Sequence, residues 1–259
     1  MIWKGAICAA MWLTIILLSS VLATSLLSGI LGMAGGMILM AILVSTVSVA
    51  AAMMIHGAVQ ATANGSRAWF LRAHIQWRIL PAYLLGAAIA LGGFMALALV
   101  PQAGVVLIVI GIFPFLARLL SRAAPRLPGL DITHMPTAAA CGAAVTAAQL
   151  FAGASGPLLD VFYLNSALDR YQVVASKALT QTLGHLIKLG YYGLFIGVVD
   201  GVPGWFYLIL MATAVVGTRI GTRLLDKLKD DVFRRISGWV ILAIAAVCVA
   251  KGVLDLLGG

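Results

Sequence analysis

The segment GASGPLLDVF (Gly153–Phe162) crowds two glycines, an alanine, a serine, a proline and an aspartate into eight positions, with apolar chain on either side. A helix that crosses a bilayer does not break there without consequence. Each N–H and C=O freed by the break must find a partner inside protein or in a wet cavity, because lipid offers none. The helix restarting after the break also presents the positive end of its dipole to whatever lies in front of it. Asp160 follows within one turn of the proline.

The surroundings of that break are those of a membrane protein. The chain has 259 residues, of which 63% are hydrophobic and 10% charged, with mean hydropathy +1.09. A soluble domain carries about 25% charged residues. Apolar runs at Ile7–Leu27, Ile79–Val100, Val105–Leu116 and Val232–Val253 are too long for a water-facing surface. No short alternating segments with turn signals suggest an outer-membrane barrel. The fold class is therefore all-α, a polytopic bundle of about eight helices by hydropathy, or ten helical pieces when the breaks are counted. Lys4 and the apolar stretch ending at Val21-Leu22-Ala23 loosely fit a signal peptide. The apolar run continues into Ser25–Leu31, so a retained first helix is expected.

The net charge of +9 is distributed as topology marking rather than as a nucleic-acid surface. Arg67, Arg72 and Arg78 form one cluster, Arg118, Arg122 and Arg126 a second, and Arg219, Arg223, Lys227, Lys229, Arg234 and Arg235 a third. Each lies between apolar runs, as the positive-inside rule places cytoplasmic loops. All eight acids are aspartate. Cys8, Cys141 and Cys248 are scattered within apolar runs and read as small packing residues. The expected partners are the lipid bilayer and a small anion, with no nucleic acid. Assembly into a homo-oligomer is left open.

A shift of 121 residues lays the second half on the first without a gap. Gly32 falls on Gly153, and Gly35 on Gly156. His56-x3-Gln60-x3-Asn64-x2-Arg67 falls on Lys177-x3-Gln181-x3-His185-x2-Lys188. The chain thus divides into a first transmembrane repeat, residues 1–130, and a second, residues 131–259, within one membrane domain. Such repeats are a signature of secondary transporters. If all three basic clusters share one side, the region Gly156–Val199 must start and finish on the other. A short helix (Pro157–Ser166), a turn (Ala167–Tyr171) and a second helix (Lys177–Val199) would achieve this. Each half then holds five pieces, an odd number, and the two repeats have inverted topology.

Two matched features carry chemistry. Gly32, Gly35 and Gly36 in the first repeat, and Gly153, Ser155 and Gly156 in the second, break helices at equivalent places. Two half-helix N-termini facing each other would form an anion site, whereas a single break would more simply reflect close helix packing. The polar residues at i, i+4, i+8 and i+11 lie within an arc of about 80° on a helix. His56, Gln60, Asn64 and Arg67 therefore share a face, and so do Lys177, Gln181, His185 and Lys188. These amides and cationic or protonatable groups suit a small oxyanion such as a sulfonate, sulfite or carboxylate. Arg67 and Lys188 could alternatively snorkel at helix ends. Asp160 is read either as a proton carrier or as the partner of a structural ion pair with Lys177 or Arg170.

Other polar residues read as ordinary. Asp169-Arg170 marks a polar turn, Asp226, Asp230 and Asp231 a solvated loop, and His74 and His134 surface positions. Trp3, Trp69, Trp77, Trp205 and Trp239 flank apolar runs as interfacial anchors. No metal-spaced Cys/His cluster, nucleotide loop or nucleophile elbow occurs, so no metal, cofactor or catalytic residue is expected and the chain is not read as an enzyme.

Three stretches together resemble a known family: GILGMAGGMILM at 29–40, HGAVQATANGSRAWFLRAHIQW at 56–77, and GASGPLLDVFYLNSALDRYQVVASKALTQTLGHLIK at 153–188. They are similar to the sulfite exporter TauE/SafE family, and the repeat organisation and basic loops extend the likeness over most of the chain. Family members usually carry a tighter glycine triplet followed by a proline in the first repeat. Here Met33-Ala34-Gly35-Gly36 stands there, with Ala41 about where the proline would be. The resemblance implies a multi-pass permease of the bacterial inner membrane that exports sulfite or organosulfonates such as sulfoacetate. An anion channel, a carrier of another small anion such as a carboxylate, and a membrane-embedded enzyme using Asp160, Lys177 and His185 are the alternatives.

Overall fold

Ten helices and no strand occur among the residues described by the computed structural model, which are 2–31, 34–123, 131–163, 166–197, 202–225 and 230–258. The first half contributes α1 (Ile2–Leu31), α2 (Ala34–Val44), α3 (Val49–Phe70), α4 (Leu80–Leu97) and α5 (Ala103–Ala123). The second contributes α6 (Met135–Ala152), α7 (Gly156–Tyr163), α8 (Arg170–Gly190), α9 (Gly204–Leu225) and α10 (Asp230–Leu257). Among the described residues, four stretches are long and apolar enough to cross a membrane: Met11–Ser28, Trp77–Leu97, Met135–Ala152 and Gly204–Gly221. Their outward faces carry exposed Leu85, Ile89, Leu208 and Val216, as a lipid-facing surface requires. Trp69, Trp77, Trp205 and Trp239 are exposed as well.

The helix starts follow from local chemistry. The Ser48 side chain accepts a bond from the Ala51 amide (3.2 Å) and caps α3. Asp169 Oδ1 accepts from the amides of Tyr171 (2.8 Å) and Gln172 (2.9 Å), while the Gln172 side chain accepts from the Asp169 amide. That reciprocal capping box fixes the start of α8. Ser48 and Asp169 are themselves 121 residues apart, so the repeat extends to the caps.

Three expected boundaries shift accordingly. The short helix after the break is α7, Gly156–Tyr163, rather than Pro157–Ser166. The next helix begins at Arg170 rather than Lys177, because Asp169 caps it instead of opening a polar turn. α8 ends at Gly190 and passes into a π-helical segment, Tyr191–Phe195, short of Val199. The Tyr191 hydroxyl there faces the carbonyls of Phe94 (3.1 Å) and Leu99 (2.9 Å), and the Tyr192 hydroxyl donates to Leu150 O (2.7 Å). These bonds fasten the end of α8 to α4 and α6.

The packing crosses the two halves. α1 lies along α9, α6 along α4, α3 along α8, and α5 along α10. Exchanging each helix for its counterpart five places on converts the first of these pairs into the second, and the last two into themselves. α3 and α8 run antiparallel, since Gly57 lies against Leu189 and Gly65 against Thr182. α5 and α10 do so too, with Gly104 against Gly252 and Gly111 against Ala245. α4 and α6 touch backbone to backbone: a Cβ on Gly86 would fall on the Ala139 carbonyl, and one on Gly142 on the Tyr83 carbonyl. The main core lies between α2, α3 and α5, around Leu39, Met40, Leu43, Met53, Ile55, Leu107 and Ile110, all under 2% exposed.

Candidate functional site

Where α3 and α8 cross, between the first turns of α2 and α7, they enclose a cavity of about 30 Å³. A void of that size has room for roughly two or three waters or one compact ion. α3 contributes His56, Gln60, Asn64 and Arg67, the entire polar stripe of that helix. α8 contributes Gln181 and His185. Gly36 and Met37 come from α2, Ser28 from α1, and Ala154, Ser155 and Gly156 from the break before α7. No carboxylate is among these residues.

Each wall is positioned by identifiable packing. Gln60 lies across Gly36, where an added Cβ would sit 3.1 Å from its Nε2. The break before α7 turns on Gly153, whose φ of +76° is a left-handed conformation that suits glycine. A Cβ on Gly153 would also strike Met40. The imidazoles of His56 and His185 stand edge to face with centroids 5.4 Å apart. His185 Nδ1 and Ser155 Oγ are buried, line the cavity, and have no hydrogen-bond partner among the described residues. Buried polar atoms left in that state are costly unless something completes them.

Behind the cavity, one chain of bonds joins the two breaks. His56 Nε2 lies 2.9 Å from the Gly36 carbonyl, so Nε2 carries the proton and Nδ1 is left as an acceptor. Lys188 Nζ donates to that Nδ1 at 2.8 Å and to the Gly153 carbonyl at 3.0 Å. Lys188 is 0% exposed, and no carboxylate pairs with it among the described residues. It does not snorkel; it bridges the backbones of both glycine breaks while standing just outside the cavity wall.

Most of the residues singled out by the sequence therefore meet in one place. Gly36, His56, Gln60, Asn64, Arg67, Ser155, Gly156, Gln181 and His185 line the cavity. Gly153 and Lys188 stand behind it. Gly35 packs against Thr24 and Ser28 of α1, where a Cβ would meet backbone, so it serves helix packing rather than the wall. Gly32 lies outside the described residues. Lys177 is the clearest departure: it forms an ion pair with Asp160 of α7 and lines no part of the cavity. Asp160 pairs with Lys177 rather than Arg170 and, like Lys177, lines no part of the cavity. Ser28, Met37 and Ala154 escaped sequence reasoning. Ser28 had a signal, since it precedes the first break by one helical turn.

A family model described as sulfite exporter TauE/SafE matches residues 16–248. The chain belongs to the sulfite exporter TauE/SafE family. No curated protein and no solved structure matches it. The TauE/SafE match runs from α1 into α10 and takes in every residue that lines the cavity. It is consistent with a multi-pass membrane protein whose work is transport.

The Asp160–Lys177 pair admits a direct test. Asp160→Asn leaves an ammonium near Arg67, whose charge acts on it, while Lys177→Met leaves a carboxylate at the edge of α7. The double variant should lose less stability than the two single losses added together. The coupling should be about 0.5–1 kcal/mol, modest because Asp160 is half-exposed. Strictly additive effects in thermal unfolding would show that the pair does not hold α7 against α8.

Proposed function

We propose that the protein is a secondary carrier of the bacterial inner membrane that exports a small sulfur-containing oxyanion, bound in the cavity between α3 and α8. The observation that carries this reading is the character of the wall. It offers amide, hydroxyl, imidazole and guanidinium groups from both halves, includes no acid, and leaves Ser155 Oγ and His185 Nδ1 without partners. An oxyanion has acceptor oxygens enough to satisfy such a set, and charge-assisted bonds to Arg67 would strengthen it. The small volume favours a compact ion such as sulfite over a longer organosulfonate.

The two halves act as inverted repeats in this proposal. The antiparallel crossings of α3 with α8 and of α5 with α10 support it. Pairs related by a two-fold axis along the membrane normal would run parallel, and pairs related by an axis in the membrane plane run antiparallel. Gln60 and Gln181, equivalent in the repeat and both buried at the cavity, then contact the same ion from opposite sides. Alternating access follows from tilting the two walls about that ion.

Efflux of radiolabelled sulfite from proteoliposomes tests the proposal. Saturable flux is expected, with a loss of at least about tenfold in Gln60→Ala and in Gln181→Ala, the size of one lost polar contact to a charged ligand. Sulfite should also raise the unfolding temperature of the parent and not of Gln181→Ala. A folded parent that neither moves nor is stabilised by sulfite, and variants indistinguishable from it, would refute the assignment.

A further inference from the structure

A second, larger cavity of about 480 Å³ opens beside the first, between the C-terminal ends of α3 and α9. Its walls are mainly apolar, with Phe70 and Val215 among them, but three guanidinium groups reach it: Arg67 from α3, and Arg219 and Arg223 from α9. Arg67 lines both this cavity and the small central one. Arg219 and Arg223 are exposed and Arg67 is half-buried, so positive charge is graded from the surface inward. No acid lines the cavity, and none pairs with these three arginines among the described residues.

We propose that this cavity is an anion-collecting vestibule, and that Arg67 is the residue that passes an oxyanion from it into the central site. Low-dielectric walls bearing charge of one sign focus the field and raise the local concentration of the opposite ion. Arg219 and Arg223 do the collecting. Arg67 alone can contact the ion from both sides, and its planar fork holds an oxyanion by two parallel bonds during the transfer. Arg67, Arg219 and Arg223 belong to the basic clusters that the positive-inside rule assigns to the cytoplasm, so the vestibule faces the side from which an exporter loads. The proposal rests on the reading of the central cavity as an anion site. An anionic lipid phosphate shares the ligand chemistry, but a lipid fixed there would close the path, and the test separates the two sources.

Ser66 lines the vestibule and supplies the probe position. Ser66→Cys in nanodiscs of zwitterionic lipid is modified with an anionic thiosulfonate, methanethiosulfonate ethylsulfonate, and with neutral methyl methanethiosulfonate. Modification is read by mass at that peptide, while Cys141 and Cys248 are buried. The ratio of anionic to neutral rates should fall about tenfold when Arg219→Gln and Arg223→Gln are added, as expected for lost electrostatic focusing. It should persist with Arg219→Lys and Arg223→Lys. In liposomes, the glutamine pair should lower flux at subsaturating sulfite and flatten its dependence on ionic strength. An unchanged ratio overturns the vestibule whatever the flux does. So does labelling that is blocked for both reagents and slows further in anionic lipid, which would make lipid the occupant. A ratio that falls in a protein without sulfite flux refutes the transport reading and leaves the vestibule standing.

Discussion

Lys188→Met is expected to abolish sulfite flux while changing the protein's stability little. The side chain is wholly buried and pairs with no described carboxylate. Keeping an ammonium there costs several kcal/mol of desolvation, offset by about 1–3 kcal/mol for each of the two donor bonds it makes. An apolar side chain of similar length removes the desolvation cost and both bonds together, so the two changes nearly cancel. If Lys188 served only the fold, the variant would stay active whatever its stability. In the bonding seen here, Lys188 holds the Gly153 carbonyl and His56 Nδ1 together, and His56 in turn holds Gly36. Its loss frees both breaks to drift, and a displacement of about 1 Å at a binding site can cost about a hundredfold. Unfolding temperature and proteoliposome efflux measured on the same preparation give the answer. An active, stable Lys188→Met protein would contradict the role assigned to the bridge.

Gly184→Ala should instead act through stability. A methyl group on Gly184 would land on the side-chain amide oxygen of Gln149, a residue of α6 that is itself 0% exposed. The Gln149 side chain must turn aside within a buried contact between α6 and α8, and the next residue along α8 is His185. Overpacking of this kind costs about 1–3 kcal/mol. The Gln149 amide has no hydrogen-bond partner among the described residues, so shortening it to alanine sacrifices no bond seen here. The double variant Gly184→Ala, Gln149→Ala should therefore recover about 1 kcal/mol or more of the loss. Recovery is read from thermal unfolding, and absence of coupling would locate the damage elsewhere.

The sequence carries the architecture because its signals are periodic and occur twice. Polar residues at helical spacing in an apolar segment can hardly face lipid, so both stripes point to an interior surface, and α3 places all four of its members at the cavity. The α8 stripe is less regular. Lys177 occupies the position equivalent to His56, yet it turns to Asp160, which has no acidic counterpart; Leu39, a core residue, stands in its place. One unmatched acid is enough to draw a side chain out of a symmetric arrangement, and the spacing of the stripe says nothing of that. The fastening of α8 by Tyr191 and Tyr192 was equally hidden, since both bonds go to backbone carbonyls that no side-chain pattern announces. Nothing in the sequence sets Gln149 apart; only its contact with Gly184 reveals how little room it has.

The crossed packing of α1 with α9 and of α4 with α6 bears on which parts of the molecule can travel together. The two halves of the chain are not separately packed units, because each half surrenders its fourth helix to the other. We infer that one body consists of α1, α2, α3 and α9, and the other of α6, α7, α8 and α4. The cavity then sits on the fault line between bodies as well as between repeats. A cysteine pair at Gly65 and Thr182, across that line, should arrest efflux on oxidation, and reduction should restore it. Cutting the gene at the repeat boundary would split both moving parts, although the sequence there looks like a natural seam.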